Sequence, residues 1–477
     1  MSVVRLSHLP VAHADHPAGV YATDDIGNLA DAPLPDVPKF LDAQVKDKAA
    51  AQPVVVMVHG FWYDPASKVE KEQRSENPHD LNFHFSDAPQ KQWRHTASWP
   101  LGLGFKKDDG GENGLAVAFA WDSTPDAFRF GTRVGRRAWL RSLATTFTPP
   151  PGVALPDHLA ALGTEFGDAA DALGKLPDSP AVRVLAKALK TVADDAANLR
   201  TPGPLALAGL FGGLSALGQE TSAAVLPVID VVTRHTPAIY KQAYDRAPEA
   251  GKELAGVFSA LAEHAKLAGR PIDVFCHSLG SRVVLSALKV LAETGKAKAL
   301  DRIDRVLIVG GSEYGDEAVR VLKAVQNVPG ITPPDVYNFV GRRDRVLTHL
   351  AAHNLDLVDP PKSRFPVGAF GLALGTPMAV RKDAHWLDLA LDAPPLGHVV
   401  LNKWLDAKRA DEKRAWGEEL GVKADVNSSH PLGLLNHWAY FTRAANMKFF
   451  AAIVREADRG GGKWSIGKMR KDGVPEA

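Results

Sequence analysis

Two kinds of apolar run alternate along the chain. The first is short, continuous and rich in β-branched residues: PVVVMVHG at 53–60, LAVAFAW at 115–121, PIDVFC at 271–276, IDRVLIVGG at 303–311 and DVYNFV at 335–340. Continuous runs of this length, closed by glycine or by a polar turn, suit strands buried on both faces of a parallel sheet. The second kind repeats with a helical period. Leu254, Val257, Phe258 and Leu261 share one face of a helix predicted over 246–268. LGSRVVLSALKVLAE predicts another helix over 279–293, and a last one falls near YFTRAANMKFFAAIVREA at 440–457. Strands alternating with helices define an α/β class, with a mostly parallel central sheet flanked by helices.

The pattern breaks in three places, and the breaks suggest the domain plan. Residues 1–50 are rich in Pro, Asp and Ala with weak periodicity, and read as an N-terminal arm or short edge element. From 130 to 235 the composition shifts to Ala, Leu, Gly and Pro, with Leu185, Leu189, Val192 and Leu199 on one helical face. An inserted helical cap over 130–235 is the simplest account, leaving 51–129 and 236–458 as the core. The glycine- and lysine-rich end, 459–477, is expected to be mobile. Inside the insert, TPGPLALAGLFGGLSALGQ at 201–219 has no charge and approaches the length of a membrane span, but holds five glycines and two prolines. A short buried helix or lid fits it better than a contact with the membrane interface or a span.

Composition narrows the partners. Of the 477 residues, 45% are hydrophobic and 23% charged, the balance of a soluble globular chain. Lys plus Arg is 56 and Asp plus Glu is 55, so no net field recruits nucleic acid or an acidic membrane. A single cysteine forms no internal disulfide, and MSVVRLSHLPVAHADHP lacks an apolar signal core, so a cytoplasmic location is expected. Oligomeric state is not legible.

The chemistry gathers at DVFCHSLGSRVV, residues 273–284. A serine between a short apolar strand and an amphipathic helix is the context of a nucleophile elbow, whose turn needs small residues two before and two after the serine. Gly280 meets the second demand, and Cys276 stands at the first. Ser278 is the candidate nucleophile. Cys276 is the rival, at the buried end of a strand with only His277 nearby to lower its thiol pKa. The Leu279 N–H, at the helix N-terminus, is placed to face a developing oxyanion.

With VMVHGF, AFAWDS, YKQAYDRA, HSLG, FVGRRDRVL, FPVGAFGL and NHWAYF in this order, residues 59–455 resemble the alpha/beta hydrolase superfamily. The likeness is to a bacterial group with H-G, W-P-S, H-S-M/L-G, a late Asp and a final H-x-x-Y. Asp122 stands where that group usually has proline, and the insert over 130–235 is long. The resemblance implies a Ser-His-Asp triad in the chain order Ser, acid, His. Asp344 is then the acid, with Glu313 and Asp316 in reserve, and His437 the base, with His430 and His398 as competitors. It also implies a second oxyanion donor after His59 and Gly60, the N–H of Phe61 or of Trp62. Trp62, Tyr63 and His277 are the candidate substrate-binding residues; the aromatic run from Phe61 to Tyr63 lines an acyl pocket or packs a cap on the sheet. The activity expected is hydrolysis of a small-molecule or lipid-like carboxylic ester. Thioesterase, amidase, acyltransferase and a non-catalytic binding scaffold are the alternatives.

No metal or organic cofactor is called for. His79, His84 and His95 lack a helical H-E-x-x-H or cysteine partners. GLGFKKDDGG does not complete a dinucleotide fingerprint, ETGKAKAL lacks phosphate-loop spacing, and no nucleic-acid motif is present.

Overall fold

In the computed structural model of the chain, the described residues are 3–12, 16–45, 53–61, 63–66, 77–85, 98–105, 114–124, 237–341, 344, 346–347, 366–372, 383–391, 401, 404–407, 437, 440–441, 443–456 and 462–476, with isolated positions between 154 and 194. Their strands are β1 (Val3–Leu9), β2 (Gly19–Ala22), β3 (Val54–Val58), β4 (Leu115–Trp121), β5 (Ile272–His277), β6 (Ile303–Val309), β7 (Asp335–Val340) and β8 (Trp386–Ala390). They form one 8-stranded sheet in the order β2-β1-β4-β3-β5-β6-β7-β8. Every neighbouring pair is parallel except β1 with β2, an antiparallel pair at one edge. The chain has a mostly parallel sheet with flanking helices, as an α/β fold requires.

Side-chain alternation along β3 shows why both faces are covered. Val54, Val56 and Val58 enter one apolar cluster with Leu41, Leu254, Val283 and Leu322. Those four belong to α1 (Val37–Val45), α2 (Pro237–Glu263), α3 (Gly280–Glu293) and, after the short α4 (Ala297–Arg302), α5 (Gly315–Gln326). Val55 and Met57 enter a second cluster with Trp99, Phe105, Phe449 and Met469, the last two from α6 (Ala444–Val454) and α7 (Ile466–Lys471). All five residues of β3 are buried, so a strand with no polar position sits between two apolar layers. Helix α2 carries Pro248, which has no N–H for the Tyr244 carbonyl one turn earlier. Arg282 of α3 supplies the missing donor, its Nε lying 2.8 Å from that oxygen, so the proline ties the two helices together.

Two segments depart from the sequence expectation. Residues 1–50, expected as an arm or edge element, hold β1 within the sheet, β2 at its edge and α1 against α2. Strand β1 is buried throughout although Arg5, Ser7 and His8 interrupt it. Ser7 explains how: its hydroxyl pairs with Thr23 Oγ1 at 2.8 Å and His79 Nε2 at 2.9 Å, so the polar group is satisfied inside. The tail expected to be mobile contains α7, with Trp464, Ile466 and Met469 at most 3% exposed. Three apolar side chains among the glycines and lysines give this segment a core contact that overrides its polar composition. The expected cap over 130–235, with the 201–219 stretch, lies outside the described residues apart from isolated positions. No described helix is long and apolar enough to cross a membrane.

Candidate active site

Strand β5 ends at His277 and α3 begins at Gly280, so the chain reverses over Ser278 and Leu279. Ser278 has φ 54, and among the described residues no other non-glycine lies in the left-handed region. That conformation costs an L-residue about 1–2 kcal/mol. Several contacts hold it. The Ser278 carbonyl accepts from the Ser281 N–H at 3.0 Å, the Ser281 hydroxyl at 2.7 Å and the Ser312 N–H at 3.1 Å. Its own N–H donates to the Val309 carbonyl at 3.1 Å. The turn is crowded on its other side by the loop after β3. A Cβ on Gly280 would stand 2.6 Å from the carbonyl oxygens of both Val58 and His59, and one on Gly60 would stand 2.5 Å from Ser278 Cβ. The small residues thus serve close backbone approach. At the cap position, the Leu279 N–H has no acceptor among the described residues.

Cys276 is fully buried, and its Sγ lies 3.5 Å from the Leu307 carbonyl. Burial pushes its thiol up, away from the thiolate a nucleophile needs. Of the two candidates in the turn, the geometry favours the serine.

Asp344 follows β7 and is completely buried. Its Oδ2 lies 2.7 Å from Nδ1 of His437, while Oδ1 accepts the Leu347 N–H at 3.2 Å. A carboxylate on Nδ1 orients the ring and favours the proton at that nitrogen, which leaves Nε2 the basic atom. His277 ties this pair to the turn: its Nε2–H donates to the His437 carbonyl at 2.8 Å, and the two rings are 4.5 Å apart. Burial and the neighbouring His437 hold His277 well below the ordinary histidine range, so it stays neutral. Expected as a substrate contact, it is 2% exposed, with its ring also packed edge-on against Phe441. The reserve acids are engaged elsewhere. Glu313 pairs with Arg282 at 2.9 Å and accepts from the Tyr244 hydroxyl at 2.8 Å, while Asp316 pairs with Arg320 along α5. His398 and His430 lie outside the described residues.

His59 fixes the glycine loop. Its Nε2 accepts the Trp121 N–H at 2.9 Å, its Nδ1–H donates to the Gly60 carbonyl at 2.9 Å, and its own carbonyl accepts the Trp121 indole N–H at 2.9 Å. Complete burial lowers its pKa to about 3, so the ring is neutral and its tautomer is set by these two partners. Phe61 follows, half-buried, with its ring 5.7 Å from that of Tyr240. Tyr63 is 6% exposed; its ring packs on His59 at 4.7 Å, and its backbone exchanges hydrogen bonds with Ser123. Trp62 lies outside the described residues.

Sequence reasoning did not single out Ser281, Arg282, Ser312 or Tyr240. Ser281 Oγ donates to the Ser278 carbonyl and accepts the N–H groups of Ser312 and Glu313. Ser312 Oγ lies 3.1 Å from Ser278 Oγ. The one local signal was the glycine doublet before Ser312. Gly310 has φ 55, and a Cβ on Gly311 would stand 3.2 Å from Ser281 Oγ, so this loop is pressed against the turn. Of the three histidines considered as metal ligands, His79 is bonded to Ser7 and His95 lies outside the described residues. Comparisons with protein-family models, with curated proteins and with solved structures gave no match.

Proposed function

We propose that the chain is a serine hydrolase of carboxylic esters, built on an alpha/beta hydrolase fold with a helical cap over 130–235, and acting on an apolar acyl or lipid-like ester. The observation that carries the reading is Ser278: a serine held at φ 54 on a strand-to-helix turn, whose neighbour His277 bonds the backbone of a buried histidine–carboxylate pair 2.7 Å apart. Backbone strain kept by surrounding contacts concentrates at functional positions, and this turn type is the one that presents a nucleophile.

In this mechanism Nε2 of His437 takes the proton of Ser278 as Oγ attacks the ester carbonyl. Asp344 stabilises the imidazolium that forms. The Leu279 N–H and the N–H of Phe61 receive the oxyanion, positioned by α3 and by the His59-anchored loop. His437 then returns the proton to the leaving alcohol. Water, activated by the same histidine, releases the acid from the acyl-enzyme. No step uses a metal or an organic cofactor.

The test is covalent labelling. A fluorophosphonate incubated with the purified protein gives one adduct on the Ser278 peptide by mass spectrometry, and Ser278→Ala gives none. A folded wild type that takes no adduct overturns the reading. The burial of Ser278, 2% exposed, favours a second reading, a non-catalytic scaffold of the same fold that binds a lipid or protein partner. An unlabelled wild type that still binds fatty-acyl probes selects it.

A further inference from the structure

The Ser312 hydroxyl beside Ser278, and the Tyr240 hydroxyl beside Ser312, have no part in the reaction above. Ser312 is 1% exposed, and its backbone N–H is shared between the Ser278 carbonyl and Ser281 Oγ, both at 3.1 Å. The loop carrying it is therefore fixed to the turn that carries the nucleophile. Its side-chain oxygen then falls 3.1 Å from Ser278 Oγ. Tyr240 of α2 is 2% exposed, and its hydroxyl sits beside the Ser312 side chain with no hydrogen-bond partner of good geometry. Leaving a buried hydroxyl unsatisfied costs about 1–3 kcal/mol, so the position calls for an explanation. Packing does not require the oxygen. The Tyr240 ring alone makes the contacts with Phe61 at 5.7 Å and Tyr244 at 6.3 Å.

Both elements are anchored from behind by one ion pair. Arg282 bonds Glu313, the residue after Ser312, and lies over the ring of Tyr244, one turn of α2 beyond Tyr240. The Ser312 hydroxyl is thereby held at the Ser278 Oγ, with the Tyr240 hydroxyl behind it on the Ser312 side.

We propose that Ser312 is a further catalytic residue, donating a hydrogen bond to Ser278 Oγ as that oxygen attacks, and that Tyr240 is the positioning residue that aims it. The inference rests on the serine-hydrolase reading. The proton count assigns the direction. Ser278 gives its single proton to His437, so Oγ acts toward Ser312 only as an acceptor, and the Ser312 proton never leaves its own oxygen. As the Ser278 O–H bond weakens, Oγ gains negative charge and the Ser312 bond becomes charge-assisted, roughly twice as strong as a neutral one. An interaction that strengthens on the way to the transition state raises the rate rather than the affinity. Once Oγ is an ester oxygen it is a poor acceptor, and the Ser312 hydroxyl turns to Tyr240, whose burial keeps its phenol protonated.

The rate at which a fluorophosphonate modifies Ser278 tests this. In that step Oγ bonds to phosphorus, fluoride leaves, and the serine proton passes to His437. Second-order rate constants are measured for the wild type, Ser312→Ala, Ser312→Thr, Tyr240→Phe and the double variant Ser312→Ala/Tyr240→Phe, each with a urea midpoint to verify folding. Ser312→Ala is expected to slow labelling about tenfold or more, the effect of one hydrogen bond to a charging group. Ser312→Thr, which keeps the hydroxyl, recovers most of the rate. Tyr240→Phe slows labelling about threefold alone and has no further effect once Ser312 is alanine, the non-additivity of a shared interaction. A merely structural role would move the midpoints and leave the labelling rates alone. Ser312→Ala labelled as fast as a labelled wild type overturns this inference while leaving the hydrolase reading in place; a wild type that takes no label overturns both.

Discussion

Acidification should begin to destabilise this protein above the pH at which ordinary carboxylates protonate, because four buried histidines are held neutral. His59 is lowered to about 3 by complete burial, against the opposing hydrogen bonds to Gly60 and Trp121 and the charge of Asp122. His8 is lowered to about 4 by burial, against Asp122 and Glu249. His79 and His277 shift the same way, each chiefly by burial, with the Arg5 charge adding to the shift of His79. In the unfolded chain all four return to a pKa of about 6.5. Below that value the unfolded state binds protons that the folded state refuses. The stability these groups contribute is therefore complete above pH 6.5 and lost as pH falls toward the folded values. At pH 4.5, two units below the unfolded value, His59 and His8 each account for a loss of about 2–3 kcal/mol. Their sum of about 5 kcal/mol already matches the total stability of many domains, and His79 and His277 add to it.

Two groups oppose the loss. His385 is raised through its hydrogen bond to Asp335, so its contribution is present below pH 6.5 and fades as pH rises. Asp388 is raised by burial, which favours the folded state as pH falls. His385 is partly exposed and screened, so the buried histidines dominate. Urea midpoints followed by the fluorescence of the ten tryptophans, at half-unit steps from pH 7 to pH 4.5, would measure the balance. The expected slope is about 1.4 kcal/mol per pH unit for each histidine titrating. His59→Gln, whose amide accepts from Trp121 and donates to Gly60, should remove one proton from that slope. A midpoint that stays flat between pH 7 and pH 4.5 would refute the assignment of neutral buried histidines.

Further outcomes follow from the turn and the acid–base pair. Gly280→Ala drives a Cβ to 2.6 Å from two backbone carbonyls and should cost about 2–3 kcal/mol, read as a lowered urea midpoint; an unchanged midpoint would mean the β3 loop can yield. Cys276→Ala should be labelled by a fluorophosphonate at the wild-type rate, and the native thiol should resist iodoacetamide until urea unfolds the chain; loss of labelling would return the cysteine to candidacy. Asp344→Asn should slow labelling about 10³- to 10⁴-fold by favouring the wrong tautomer of His437, and a near-normal rate would place the acid elsewhere.

The parts of the fold that could be read from sequence are those where composition and burial agree. Strands β3 and β4 are apolar along their whole length and buried on both faces, and β5, β6 and β7 are apolar enough for their runs to stand out. Strands β1 and β8 escaped because polar residues lie inside them, two of which, Ser7 and Asp388, are satisfied by distant partners. Asp388, central in β8, accepts from the Trp386 indole, the Asn338 amide and the Leu372 N–H, so a carboxylate that reads as surface lies 8% exposed. The Asp344–His437 contact was legible through chain order, which family likeness supplied and periodicity did not. Ser312 and Tyr240 were not legible, since the meeting of Ser312 with Ser278, and of Tyr240 with Ser312, depends on how the loop after β6 and α2 dock against the turn.

The strain at Ser278 shows why those docked elements matter. An isolated turn would relax a left-handed serine and recover about 1–2 kcal/mol. Here the donors to its carbonyl come from two places, Ser281 on α3 and Ser312 beyond β6, while the β3 loop presses on its Cβ side through Gly60. Relaxing φ would break bonds to both elements at once, and the buried N–H and hydroxyl of Ser281 would lose their common acceptor, which costs at least as much as the strain released. The turn is thus held by the sheet order itself, with β3 and β6 flanking β5 on either side. Holding Ser278 this way also fixes its hydroxyl relative to Ser312, and His277 extends the same unit to the backbone of His437. Ser278, the glycine loop and the histidine–carboxylate pair are thus joined by one set of contacts, the preorganisation that the proposed hydrolysis, developing charge in a buried site, demands.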